Sequence, residues 1–292
     1  ADIPRARQYS APDGSVFSMV FQFEQMCLDH EADKWVPKAM ALPELKASIA
    51  RWQQGLHGCG WNSLFWDNHD LPRIVSRWGD DGACRADSAK ALAVALHGLQ
   101  GTPYIYQGEE LGMTNAPYPV EELRDLESIN AYNEMVERGM PESDALAAIH
   151  RMMRDNARTP MQWTAGPHAG FTDGDPWMMV NPNYTEINAA AALADPDSVF
   201  YTYQKLIALR KAHRVFVEGD FTLLYPEDEQ VFAYLRRGAG QEMLVAVNLS
   251  GRSAPFALPE AFEGRAPLLA TQGAPLAGAL RPWEALICLR DL

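Results

Sequence analysis

Trp61-Asn62-Ser63-Leu64-Phe65-Trp66-Asp67-Asn68-His69-Asp70-Leu71-Pro72-Arg73 opens as a short apolar run and closes in a cluster of polar groups. Leu64, Phe65 and Trp66 suit a strand of a parallel sheet, which is covered on both faces and reads as continuous apolar sequence. Pro72 lacks the N–H that a strand interior needs, so the strand ends near Asp70. Asn68, His69 and Asp70 then fall where strand becomes loop. In a (β/α)8 barrel that rim is the catalytic face. A lone His-Asp pair after a strand is by itself an ordinary turn, and the surrounding sequence has to decide.

Upstream, Val16 to Phe23 is a dense apolar and aromatic run after the turn signal Pro12-Asp13-Gly14, and it reads as a buried strand. Leu42, Leu45, Ile49 and Trp52 recur at helical spacing between Leu42 and Gly55. Downstream, Ala86 to Gln100 is Ala- and Leu-rich and predicts a helix, with Gly101 and Pro103 as stop signals. Tyr104-Ile105-Tyr106 predicts the next strand. Strand, helix, strand repeated in this way is the mark of parallel α/β units.

From Asn115 the pattern changes. A long insertion, about 115–195, holds one clear helix near Ser143 to Met153 among polar and Pro/Gly-bearing segments. Asp197 to His213 predicts an amphipathic helix that buries Phe200, Tyr203, Leu206, Ile207 and Leu209. Beyond it lie short alternating segments: Phe221–Tyr225, Val231–Leu235, Met243–Val247 and Ala285–Leu289. Turn residues separate them at regular intervals, which predicts an antiparallel β-sandwich. The expected organisation is therefore an α/β part over 1–214 and an all-β part over 215–292, with the boundary near His213 to Val217.

The net charge is −13, an acidic balance that repels nucleic acid and anionic membranes and suits a neutral substrate. Cys27, Cys59, Cys84 and Cys288 are scattered without a CxxC pair, against both a zinc site and a disulfide framework. No metal or other cofactor is expected. No signal peptide and no membrane-length apolar run is visible, so the expected compartment is the cytoplasm. Ala1-Asp2-Ile3-Pro4 is neither a Met start nor a targeting segment and reads as the middle of something longer.

Three motifs now stand in order: Asn68-His69-Asp70-Leu71-Pro72-Arg73, then Gly101-Thr102-Pro103-Tyr104-Ile105-Tyr106-Gln107-Gly108-Glu109-Glu110-Leu111-Gly112-Met113, then Arg154-Asp155-Asn156-Ala157-Arg158-Thr159-Pro160-Met161-Gln162-Trp163. Together they resemble the α-glucosidase and oligo-1,6-glucosidase branch of the α-amylase family of glycoside hydrolases. The resemblance runs over almost the whole chain and is weakest after about Val215. It implies a (β/α)8 TIM barrel followed by a β-sandwich. It also implies a retaining mechanism, which takes two carboxyl groups about 5–5.5 Å apart, one nucleophile and one acid/base.

In the family these are an Asp after the fourth strand and a Glu after the fifth. Neither has a match here: Asp-x-Arg-x-Asp is absent, and the acid/base motif would precede the Val16 strand. The three α/β strands would be the sixth, seventh and eighth of the barrel. The chain is thus expected to be the C-terminal half of a longer enzyme, whether as a fragment, a broken reading frame or a nicked piece, and to be inactive alone. Its expected partners are a small α-glucoside, and either the missing barrel half or a second copy of itself.

The resemblance assigns roles residue by residue. Asp70 matches the Asp that holds the sugar ring hydroxyls and stabilises the transition state. His69 matches a His that hydrogen-bonds the nonreducing glucose. Arg154 matches an Arg that grips the far edge of that glucose and pairs with an acid from the missing half. Glu127 resembles a Glu that lines the leaving-group site, and it reads equally as a helix-start carboxylate. Arg158 is expected to be structural, and Glu109 and Glu110 to brace the end of the eighth strand. Trp163, Phe171 and Trp177 are expected in a core. Leu71 stands where the family often has Gln, which bears on fine specificity. Two alternatives stay open. One is a non-catalytic scaffold with a glycosidase fold. The other is a sucrose isomerase or glucosyltransferase of the same family, although the Arg-rich loop of the isomerases is missing from Leu28 to Lys34.

Overall fold

A computed structural model describes residues 2–292. Three short parallel segments lie side by side. β1 is Ser63–Leu64 and β2 is Thr102–Pro103, in register Ser63↔Thr102 and Leu64↔Pro103. Val20 pairs in parallel with Asn62 on the other side of β1. Thr102 and Tyr104 donate their N–H groups to the Asn62 and Leu64 carbonyls. The position between them points away from β1, so Pro103 sits in the strand without costing a hydrogen bond.

Two expectations shift here. The Val16–Phe23 segment makes one parallel bridge rather than a strand, and Val16, Phe17, Phe21 and Phe23 are exposed rather than buried. It has a ladder partner on one side only. The third strand lies at 102–103, two residues before Tyr104–Tyr106, because Gly101 (φ +141°) brings the chain up against β1 and pairing starts there.

The helices around these segments are α1 Ile3–Tyr9, α2 Leu42–Leu56, α3 Ile74–Trp78 and α4 Arg85–His97. In α2 the residues expected on the buried face, Leu42, Leu45, Ile49 and Trp52, are buried. From Ser88 to His97, α4 is buried on every side. It lies against the later helix Val199–Ala212 and the C-terminal sheet. Its Leu92 carbonyl accepts from Trp66 Nε1 at 2.8 Å, and its Ala95 carbonyl from the Tyr234 hydroxyl at 2.9 Å.

The insertion carries α5 Leu126–Glu137, α6 Glu142–Met152, the single turn α7 Asp155–Arg158, and α8 Ala189–Ala194. α5 was not expected. Its Ile129, Ala131, Tyr132 and Met135 face a small core of its own, around Tyr118, Ile149 and Met153. α9 Val199–Ala212 buries Tyr203 and Leu206, half-buries Phe200 and Leu209, and exposes Ile207. α10 is Val215–Glu218.

The C-terminal strands are β3 Thr222–Leu224, β4 Val231–Gly238, β5 Gln241–Asn248, β6 Ala254–Pro255, β7 Leu269–Ala270, β8 Ala279–Leu280 and β9 Ala285–Asp291. Five form an antiparallel sheet in the order β3-β4-β5-β9-β7, and β6 pairs with β8 as a smaller second layer. Phe232, Tyr234, Met243, Val245 and Ile287 join one core with α4 and α9, while Ala233, Leu244, Ala246 and Phe262 form another on the opposite face. Both faces are covered, so β5 reads as an unbroken apolar run.

Candidate active site

The site begins where β1 stops. Phe65 and Trp66 stay buried, Asp67 is buried behind them, and the chain then turns outward. The Asn68 side chain accepts the Asp70 N–H at 2.7 Å, a local turn that pushes His69 and Asp70 to the surface. His69 Nε2 lies 3.2 Å from one Asp70 oxygen. The other oxygen accepts from Arg158 Nη2 at 2.8 Å and lies 3.5 Å from Arg154 Nη1. Arg158 Nε also donates to the His69 carbonyl at 2.9 Å.

Arg154 and Arg158 flank α7, one just before it and one at its end. Arg154 forks onto both oxygens of Asp125 and lies 3.5 Å from Glu127. Lys34, from the loop that follows the Val20 segment, pairs with Glu127 at 2.6 Å. Asp125 caps the N-terminus of α5. Burial works against its charge, but the hydrogen bonds from Arg154 and Ser128 outweigh it and hold its carboxyl below the usual carboxylate range. Arg154 is shifted upward, chiefly by that hydrogen bond to Asp125.

The four expected site residues, Asp70, His69, Arg154 and Glu127, therefore lie in one connected ion network. Two members were read differently from the sequence. Arg158, taken as structural, is closer to Asp70 than Arg154 is. Arg154, expected to pair with an acid from outside the chain, has Asp125 within it. The signal for Asp125 was present as an Asp followed by an acidic first turn in Asp125-Leu126-Glu127, the mark of a helix start.

Behind the network sits a buried acidic cluster. Neither Asp67 oxygen has a hydrogen-bond partner, and burial pushes this carboxyl up to about 7 against the pull of Arg73. Glu109 is pushed up to about 8 by burial and by Asp67, and accepts from the Tyr203 hydroxyl at 2.6 Å. Glu109 also accepts the Tyr106 N–H at 3.3 Å, and Glu110 accepts the Gly108 N–H at 2.8 Å. Both brace the turn after β2.

A cavity of about 380 Å³ opens beside His69 on the face left uncovered by the Val20 segment. Phe21 stacks near Tyr104 with ring centres 4.9 Å apart, and Phe23 near Phe65 at 5.3 Å. Trp163, Phe171 and Trp177, expected in a core, are instead exposed at 49%, 42% and 62%. They belong to a looped stretch with a left-handed turn at His168 and Ala169. Among the described residues no cluster of His, Cys, Asp and Glu has the geometry to hold a metal ion. No helix there is long and apolar enough to cross a membrane.

Chemically, the arrangement presents one exposed carboxylate held by two guanidinium groups and an imidazole at a strand's C-terminal end. Such a group hydrogen-bonds hydroxyls and stabilises positive charge. It does not alone supply the paired carboxyls of a retaining glycosidase.

Residues 1–219 match the alpha amylase catalytic domain, and residues 221–280 match the maltogenic amylase C-terminal domain. The chain is 48% identical to an oligo-1,6-glucosidase of Halalkalibacterium halodurans over 97% of its own length and 52% of that protein. It is 46% identical to a trehalose-6-phosphate hydrolase of Bacillus subtilis over 96% of its length and 52% of that protein. The crystal structure of Bacillus licheniformis trehalose-6-phosphate hydrolase superposes with a TM-score of 0.96 at 42% identity, over 100% of this chain and 55% of that one. Isomaltulose synthase from Klebsiella sp. LX3 superposes with a TM-score of 0.92 at 36% identity, over 99% and 54%. The chain thus spans about half the length of the curated relatives it matches. It belongs to the α-amylase family of glycoside hydrolases, in the branch that holds the oligo-1,6-glucosidases.

Proposed function

We propose that this chain supplies the C-terminal half of a retaining α-glucosidase that releases glucose from short α-glucosides. The observation that carries the reading is Asp70, held at the end of β1 between Arg158 and Arg154 with His69 beside it. Asp70 takes the hydroxyls of the glucose ring and stabilises the positive charge of the oxocarbenium-like transition state. His69 and Arg154 bind the same sugar, and Glu127 faces the leaving group. The nucleophile Asp and the acid/base Glu come from barrel strands outside residues 1–292, so the chain alone is inactive. Residues 1–214 form the barrel half and 215–292 the appended β domain. Four free thiols suit the cytoplasm.

Glucose release from isomaltose, maltose, sucrose and trehalose is the test. It is measured on a longer protein in which residues 1–292 follow a complete set of upstream strands, with product anomers followed by NMR. The expected result is α-glucose as first product from at least one disaccharide. Inversion, or no release from any of them, would overturn the reading. Conversion of sucrose to an isomer would move it to the isomerase alternative.

A further inference from the structure

Arg73 ends the motif that carries Asp70, yet it touches neither Asp70 nor the cleft. It is fully buried, and its guanidinium reaches three separate places. Nη1 donates to the Gln107 carbonyl after β2 at 2.6 Å. Nε donates to the Asn156 carbonyl at 3.2 Å, and Nη2 to the Ala157 carbonyl at 3.3 Å. The last two belong to α7. A helix leaves its last four carbonyls without internal partners, and α7 is four residues long. Arg73 therefore takes carbonyls that α7 cannot satisfy itself. The Tyr106 hydroxyl adds a second donor to the Ala157 carbonyl at 3.0 Å, and the guanidinium lies over the Tyr106 ring.

Arg154 and Arg158 stand at the two ends of this same turn. We propose that Arg73 is a positioning residue: it fixes α7 under the loop after β1, and so places both arginines that grip Asp70. Asp67, also enclosed, makes no hydrogen bond to it, so the guanidinium is held by the carbonyls. A lysine at position 73 keeps the charge, but its three donors radiate from one nitrogen and cannot span the separation that Nε, Nη1 and Nη2 give the guanidinium.

The activity arm rests on the α-glucosidase reading. A misplacement of about 1 Å in a catalytic site costs on the order of 10²-fold. In the longer protein, Arg73→Lys is expected to lower kcat/KM on an aryl α-glucoside by about that factor. Acting through Arg154 and Arg158, it should cost little more once both are replaced. Arg73→Lys added to Arg154→Lys with Arg158→Lys should fall within roughly threefold of that pair without it, since coupled sites are not additive. Multiplied losses would overturn the proposal. If Arg73→Lys does not fold, Tyr106→Phe removes one hydroxyl on the same carbonyl and must show the same non-additivity. A second arm is independent of any activity. Amide hydrogen exchange across residues 155–159 of the chain itself should quicken about tenfold or more in Arg73→Lys, with that of β5 unchanged. Unchanged exchange at 155–159 would overturn the proposal even if the enzyme reading holds. A wild-type protein without turnover would sink the enzyme reading and leave this arm to decide.

Discussion

Asp70 holds its charge in the open, between two guanidinium groups, and that placement decides what it does. A carboxylate whose contacts strengthen as the sugar becomes positively charged lowers kcat when removed and leaves KM nearly alone. In the longer protein Asp70→Asn is expected to cost on the order of 10²-fold in kcat. A variant with near-normal kcat removes Asp70 from the chemistry. Arg154 makes a different demand, because it forks onto Asp125 while facing Asp70 and Glu127. Arg154→Lys should not restore kcat/KM relative to Arg154→Ala, since a single ammonium cannot replace the planar fork. A lysine variant equal to wild type would show the grip to be wrong. At this scale the long motifs single out His69, Asp70 and Arg154, and the structure brings the three into one network. Asp125 is marked in the sequence only as a helix start and Arg158 only as a motif member, because their contacts with Arg154 and Asp70 cross dozens of residues.

At the scale of elements, α4 is both the hub of the structure and its point of acid sensitivity. His97 lies fully buried at its last turn, its Nδ1 at 2.9 Å from the Ala93 carbonyl and its Nε2 without a partner. Burial, assisted by the nearby Arg210 charge, pushes this imidazole down to about 4. In the unfolded chain it titrates at about 6.5. Between those values the unfolded state binds the extra proton, so stability falls as pH drops from 6.5 to 4 and this contribution is flat above 6.5. His97→Gln keeps a donor for the carbonyl and does not titrate. Its urea midpoint should fall less than that of wild type over the same range, and parallel curves would exclude the imidazole as the cause. The crossing of β1 and β2 is governed by Gly101. A Cβ there would lie 2.5 Å from the Asn62 carbonyl oxygen, whereas one at Gly58 (φ +70°) meets nothing. Gly101→Ala should lose the roughly 1–3 kcal/mol of backbone strain plus the clash, and Gly58→Ala the strain alone. Equal losses would mean that the close approach does not matter.

Helices α2, α4, α6 and α9 were legible because each buries one periodic face, or in α4 all faces, against a neighbour inside the chain. The Val16–Phe23 segment read as a buried strand for the same reason, and its exposure has a physical cause. The apolar pattern is present, but among the described residues the segment has a ladder partner on one side only, so its outer side chains stay exposed.

That mismatch governs the whole molecule. Phe17, Phe21, Phe23 and Tyr104 are 57%, 45%, 52% and 42% exposed, in a row along the face beside the cleft. Among the described residues the Val20 segment has no ladder on its far side, and neither has β2. Open edges next to exposed aromatic surface invite pairing with another chain. A barrel closes with eight strands, and three leave both of these edges free. Residues 1–292 produced alone are therefore expected to form dimers or larger assemblies. They should also show no enzymatic hydrolysis of an aryl α-glucoside, because Asp70 cannot be both nucleophile and acid. Light scattering and a turnover assay on one preparation check both halves of this. Production together with the proposed upstream strands should give a monodisperse species with turnover, as those strands would cover the aromatic row and bring the nucleophile and acid/base carboxyls. A monodisperse monomer of residues 1–292 with full activity would mean that the exposed face is an ordinary surface and that the chemistry lies within these residues.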